Sequence, residues 1–140
     1  MSLPNAIHRY WGNRTELTDM VPTSRFYTGV IPEENLRRPY LVLGYSKEAE
    51  RDSSNVIIEN YTVTFTVVCD NAIDAETVCQ LTEQQFDDSI CLESLTMDGN
   101  DELLASYWLH TEVSEPQPGL WQGVVTYRFQ VGTLLESPTT

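Results

Sequence analysis

Apolar residues at the start of the chain recur at the three- and four-residue steps of a helix. Ile7, Tyr10, Trp11, Leu17 and Met20 fall on one side of such a helix, with Gly12 weakening its middle. Pro22 stops it, because the ring clashes with a continuing turn and biases the preceding residue toward extended geometry. The pattern then changes to that of strands. Residues 25–31, RFYTGVI, are rich in aromatic and β-branched types and are closed by Pro32, which predicts a short strand. After the loop PEENLRRP, residues 40–45 (YLVLGY) are almost continuously apolar and predict a strand buried on both faces. The polar run SKEAERDSSN at 46–55 cannot contribute to a core and is expected to be a long exposed hairpin loop or arm.

The clearest strand spans residues 56–68, with Tyr61, Val63, Phe65 and Val67 on one face and Thr62, Thr64, Thr66 and Val68 on the other. Asp70 or Asn71 is placed to cap a helix carrying Ala72, Ala75, Val78 or Cys79, Thr82 and Phe86 as a modest apolar stripe with an acidic outer face, suited to lie flat on a sheet. Beyond Asp87, Asp88 and Ser89, the segment ICLESLTM at 90–97 is read as a return to strand, followed by a turn through Asp98, Gly99 and Asn100. Leu104 to Val113 alternates again. The turn-rich SEPQPGL leads to a half-buried strand at 121–131, with Trp121, Val125, Tyr127, Phe129 and Val131 on one face. The order α-β-β-β-α-β-β-β predicts an α+β fold: a mostly antiparallel sheet with helices on one face. One domain over residues 1–140 is expected, with flexible ends at 1–4 and 135–140.

Composition adds constraints on partners. Eight basic residues against 21 acidic ones give a formal charge of −13, which repels phosphate backbones, so direct sequence-specific binding of nucleic acid is not expected. Cys69, Cys79 and Cys91 are odd in number and form no CxxC pair, which suits a reducing compartment better than a disulfide framework or a zinc ribbon. No apolar run approaches the roughly 18 residues that span a bilayer, and the N-terminus lacks the layout of a signal peptide. No membrane association is expected, and synthesis is expected in the cytoplasm.

Candidate chemistry is sparse. His8 and His110 stand apart from each other and from any ligand-type spacing. The three cysteines occupy positions suited to small core residues rather than to an activated nucleophile. Asp98 to Glu102 resembles a fragment of a calcium loop but lacks its distal glutamate, and a hairpin turn explains it better. The adjacent pairs Asp87–Asp88 and Glu33–Glu34 tend to diverge rather than face one substrate. No catalytic, cofactor-binding or metal-binding residue is therefore assigned, no cofactor is expected, and the chain is not expected to be an enzyme. For Trp108, burial in an interface and burial in the core remain open alternatives.

Residues 7–46, IHRYWGNRTELTDMVPTSRFYTGVIPEENLRRPYLVLGYS, resemble the opening of the small tail-completion proteins of tailed phages and prophages, a family of tail terminators and head–tail joining proteins. The points of resemblance are an amphipathic helix, the segment Gly29 to Pro32 and the Pro39–Tyr40 strand start, continued by the strand at 56–68, the helix at 74–86 and a final strand with Arg128–Phe129. The SEPQPGL connection and the high negative charge depart from that pattern. The resemblance implies a non-enzymatic, phage- or prophage-derived subunit that forms a homo-oligomeric ring, commonly a hexamer. Such a subunit contacts other tail or connector proteins, is made in the cytoplasm of a bacterial host and ends in the virion. The alternative is a small α+β ligand-binding protein or dimeric enzyme, which predicts a deep pocket with converging polar groups.

Overall fold

A computed structural model describes residues 3–29, 36–52, 55–97 and 99–134. Helix α1 spans Leu3–Gly12 and buries Leu3, Pro4, Ala6, Ile7, Tyr10 and Trp11. The apolar periodicity of the first twenty residues is interrupted at Gly12, so the expected single helix is two. A one-turn helix α2, Thr15–Thr18, follows and buries Leu17. Trp11 explains why the chain doubles back here, since its indole Nε1 donates to the Val21 carbonyl at 2.9 Å from a fully buried position. A 3-10 turn at Thr23–Arg25 then feeds β1, Phe26–Thr28. Of the strand expected at 25–31, these three residues form strand; Val30 and Ile31 lie outside the described residues.

The other strands are β2 (Tyr40–Asp52), β3 (Val56–Cys69), β4 (Asp101–Gln117) and β5 (Leu120–Leu134), giving a five-stranded sheet in the order β1-β2-β3-β5-β4. Among the described strands, the β1–β2 pair alone is parallel. The polar segment at 46–52 continues β2 as a ladder against β3, so the expected loop is a strand-paired arm. Backbone hydrogen bonds hold such an arm without apolar side chains.

Between β3 and β4 lie α3 (Ala72–Gln85) and α4 (Asp88–Ser94). Asn71 is the cap of α3: its Oδ1 accepts from the Asp74 amide at 2.8 Å. The strand expected at 90–97 is instead α4, and this corrects the expected order to three strands, two helices and two strands. Asp87 caps it by accepting from the Ser89 amide at 3.0 Å, which starts a turn and places Cys91 and Leu95, four residues apart, in the core. The fold is α+β, with the sheet mostly antiparallel.

The register gathers Leu41, Leu43, Val63, Phe65, Val67, Val125, Tyr127, Phe129 and Val131 on one face of the sheet, where the helices cover them. Phe86, just past α3, is the hub, with ring centroids 4.8 Å from Phe65 and 5.0 Å from Tyr10. The last carbonyls of α3 are satisfied from outside the helix: Tyr127 donates to Glu83 O at 3.1 Å and Tyr10 donates to Gln85 O. The opposite face carries Val42, Thr62, Thr64, Thr66, Val124, Thr126, Arg128 and Gln130, and no helix among the described residues packs on it. No described helix is long and apolar enough to cross a membrane.

Candidate assembly surface

A strand at the edge of a sheet leaves a row of backbone donors and acceptors unpaired, and natural edges are commonly short, charged or bulged. Strand β4 lies at such an edge, with β5 as its neighbour on one side and no described strand on the other, although Ala105 and Ser106 are buried there and the Ser106 amide is taken by Asp88. It is long, and its centre carries no acidic residue from Leu103 through Thr111, between Glu102 and Glu112. Within that stretch Leu104, Tyr107, Trp108 and Leu109 are exposed, Tyr107 by 52% and Trp108 by 54%. Tyr107 and Trp108 are consecutive in the strand and point to opposite faces, Trp108 to the helix side and Tyr107 to the uncovered side, so the edge presents one exposed aromatic on each face, a residue type suited to burial against another protein.

Trp108 is not free to rotate into solvent. Its Nε1 donates to Thr111 Oγ1 at 2.7 Å, and Thr111 donates in turn to Glu83 Oε1 on α3 at 3.0 Å. The indole is thus held on the helix side of the edge. Below it, Ser106 anchors β4 to the core: its Oγ donates to Phe86 O at 2.8 Å and its amide to Asp88 Oδ1 at 2.8 Å. The ladder to β5 is interrupted by bulges between Leu103 and Ala105, Trp108 and His110, and Ser114 and Gln117.

The second open edge is on β2. Strand β1 pairs with Leu41, Val42 and Leu43, and from Gly44 onward no described strand lies outside β2. Tyr45, on the helix side of the sheet, is 52% exposed there. Lys47 Nζ pairs with Glu59 Oε2 at 3.3 Å and Arg128 with Glu48 at 3.4 Å, so these basic groups are engaged by carboxylates along the arm.

The residues weighed for chemistry are scattered. His8 packs edge-on to Phe26 at 5.1 Å, while His110 is exposed on β4, its Nε2 3.6 Å from Glu112 Oε2. Cys69, Cys79 and Cys91 are buried and unbridged. Burial pushes the Cys69 thiol up to about 12 and that of Cys79 to about 11, and it raises Cys91 as well, so none is a ready thiolate. Asp87 and Asp88 diverge: the first caps α4 and the second holds the Ser106 amide. Asp98, Glu33 and Glu34 lie outside the described residues. Gly99, with φ +67°, begins the turn into β4. Among the described residues no three His, Cys, Asp or Glu side chains converge as metal ligands. Trp11 is buried in the core, Trp121 is half-buried against it and Trp108 is exposed, which settles the alternative left open by the sequence against core burial.

A depression of about 450 Å³ lies on the uncovered sheet face, lined by Tyr40, Val42, Thr66, Val68, Leu120 and Gln122 among others. None of its lining residues is charged. Its walls offer neutral hydroxyl and amide groups and no acid–base pair.

With this geometry the chain is similar to one chain of a solved structure described as the virion of a native gene transfer agent particle. The likeness is one of fold. The TM-score is 0.74 at 16% sequence identity, over 94% of this chain and 95% of that one. No protein-family model matches the chain, and no curated protein matches it.

Proposed function

We propose that the chain is a non-enzymatic structural subunit of a phage-like tail, in the ring-forming role of the tail-completion and head–tail joining proteins. The observation that carries this reading is the long edge strand β4, whose own sequence carries no acidic residue from Leu103 through Thr111 and on which Tyr107 and Trp108 are exposed. A surface of that kind is used by contact with protein rather than by chemistry. The fold likeness to a chain of a gene transfer agent virion supports the same class of role. A ring places one copy's surface against a different surface of the next, and it closes when the rotation between copies divides a full turn. The charge of −13 fits a lumen through which DNA passes without adhering. Its further partners are other tail or connector proteins, and its destination is the virion.

Native mass spectrometry with negative-stain imaging of the purified protein tests the reading. A closed ring, six-fold in the expected case, supports it. A monodisperse monomer at assembly concentrations, with no ring in the images, overturns it. The reading as a ligand-binding protein rests on the uncharged depression of the open sheet face and predicts a saturable small ligand there.

A further inference from the structure

Trp108 reaches solvent with its polar atom already engaged. Its Nε1 donates to Thr111 Oγ1, and Thr111 donates onward to Glu83 Oε1. Covering the ring with another protein therefore leaves no donor without a partner, and the ring is held in place before any contact is made. Beside it Leu109 is also exposed, left out of the ladder to β5 by the bulge between Trp108 and His110. Among the described residues, the exposed large apolar side chains outside β4 are Tyr45, Ile73, Ile90 and Leu134, which stand apart from one another in the sequence. Trp108 with Leu109 is a knob that calls for an apolar hole without hydrogen-bonding demands.

The chain carries such a hole on its other side. The depression of about 450 Å³ on the uncovered face has Val42, Val68 and Leu120 as apolar lining, neutral hydroxyl and amide groups beside them, and no charged residue. Two smaller depressions, of about 250 and 220 Å³, are lined in part by Glu59 with Asp101 and by Glu102. An indole seated in either would strip carboxylates of water and offer them no donor, since its N–H is taken. The uncharged depression carries no such cost, and that decides where copies of a chain carrying −13 can meet closely.

Knob and hole cannot meet within one chain. Trp108 pairs with Tyr127 on the helix-covered face, whereas Val42 pairs with Thr66 on the uncovered face. The strands that carry them are separated by three inter-strand spacings, roughly 14 Å. A patch that fits a pocket elsewhere on the same molecule makes a head-to-tail contact, and such contacts close into a ring when the rotation allows.

We infer that a second copy of this chain docks by seating Trp108, with Leu109 beside it, in the depression lined by Tyr40, Val42, Val68 and Leu120. The inference rests on the proposed ring and names the two surfaces that join its copies.

Photo-cross-linking tests it. Placing p-benzoylphenylalanine at position 108 keeps an aromatic knob and makes it reactive toward whatever it touches. Irradiation of the assembled protein is expected to give covalent dimers on a denaturing gel, with the link mapped by mass spectrometry to residues 40–42, 66–68 or 116–122 of the other copy. Dimers linked elsewhere, or no dimers, while the unsubstituted protein still forms rings, overturn this docking and leave the ring reading intact. An unsubstituted protein that stays monomeric overturns both. Should the photoreactive variant fail to fold by circular dichroism, Trp108→Ala and Trp108→Phe decide. The concentration needed for assembly is expected to rise roughly tenfold or more in Trp108→Ala and to rise less in Trp108→Phe, which keeps a ring for the hole. Assembly of Trp108→Ala at an unchanged concentration overturns the inference.

Discussion

Gly123 on β5 and Cys79 on α3 meet so closely that a Cβ added to the glycine would lie 2.5 Å from the cysteine sulfur. The same added atom would stand 3.1 Å from Val67 Cγ1 and 3.3 Å from the Ala75 carbonyl oxygen. The missing side chain therefore sets how near α3 approaches the sheet, and Ala75, Val78 and Cys79 are small enough to use the space. Gly123→Ala is expected to destabilise by about 1–3 kcal/mol through overpacking. Urea unfolding of that variant, and of the same variant carrying Cys79→Ala, checks the cause, because the second change removes the nearest clash and should recover part of the loss.

Trp11 both fills the core and ties down the chain reversal after α1. Trp11→Phe keeps most of the aromatic volume but removes the donor to the buried region around Val21 O. The expected cost is about 1–3 kcal/mol, the penalty of a carbonyl left without its partner. Trp11→Ala should cost more, about 3–5 kcal/mol. Chemical denaturation of both variants separates the hydrogen bond from the packing; a negligible loss in Trp11→Phe would argue that the bond contributes nothing, and equal losses in the two would argue that the ring's packing adds nothing beyond it.

Alkaline pH should loosen the core. Burial raises Cys69 from 9.0 to about 12 and Cys79 from 9.0 to about 11, and Tyr10 and Tyr61 each from 10.0 to about 12. Each group holds its proton more tightly folded than unfolded, so the unfolded state loses protons first as pH rises. The stabilisation is complete below the unfolded values near 9 to 10 and is lost as pH climbs toward the folded values of about 11 to 12. Thermal melts between pH 8 and 11 should show a falling midpoint, and thiol reagents at pH 8 should react slowly until denaturant is added.

Arg38 reaches Asp70 Oδ1 at 3.2 Å and the Gly119 carbonyl at 3.4 Å, linking the end of β3 to the β4–β5 turn. The ion pair is reached by water, with the Arg38 and Asp70 side chains 33% and 71% exposed. Arg38→Ala is accordingly expected to cost less than about 1 kcal/mol. Its effect should be local, seen as faster amide exchange in the turn around Gly119 with little change in the global unfolding midpoint.

The strands at 56–68 and 121–131 were legible because period-two alternation is enforced where one face is buried and the other is not. Leu104 to Val113 was legible for the same reason, although bulges shift its register. ICLESLTM misleads because Ile90, Leu92 and Leu95 leave the period ambiguous over so short a run, and the capping signal of Asp87 with Ser89 decides for helix. The arm beyond Tyr45 is strand for a reason side chains do not advertise, namely its backbone ladder to β3. The candidate surface was half visible: Trp108 stood out as an aromatic without a settled home, while Tyr45 became notable only once β1 proved too short to cover β2. Which edges stay open is a property of topology.

The β3–β5 ladder also bears on the order of folding. The β2–β3 and β4–β5 ladders each join neighbours along the chain, whereas β3–β5 pairs Val56 with Leu134 and Cys69 with Trp121, from opposite halves. Closing that long loop costs entropy before any contact rewards it. The two hairpins can therefore form early as separate units, and the zipping of β3 onto β5 is the slow event that brings both outer edges into being at once.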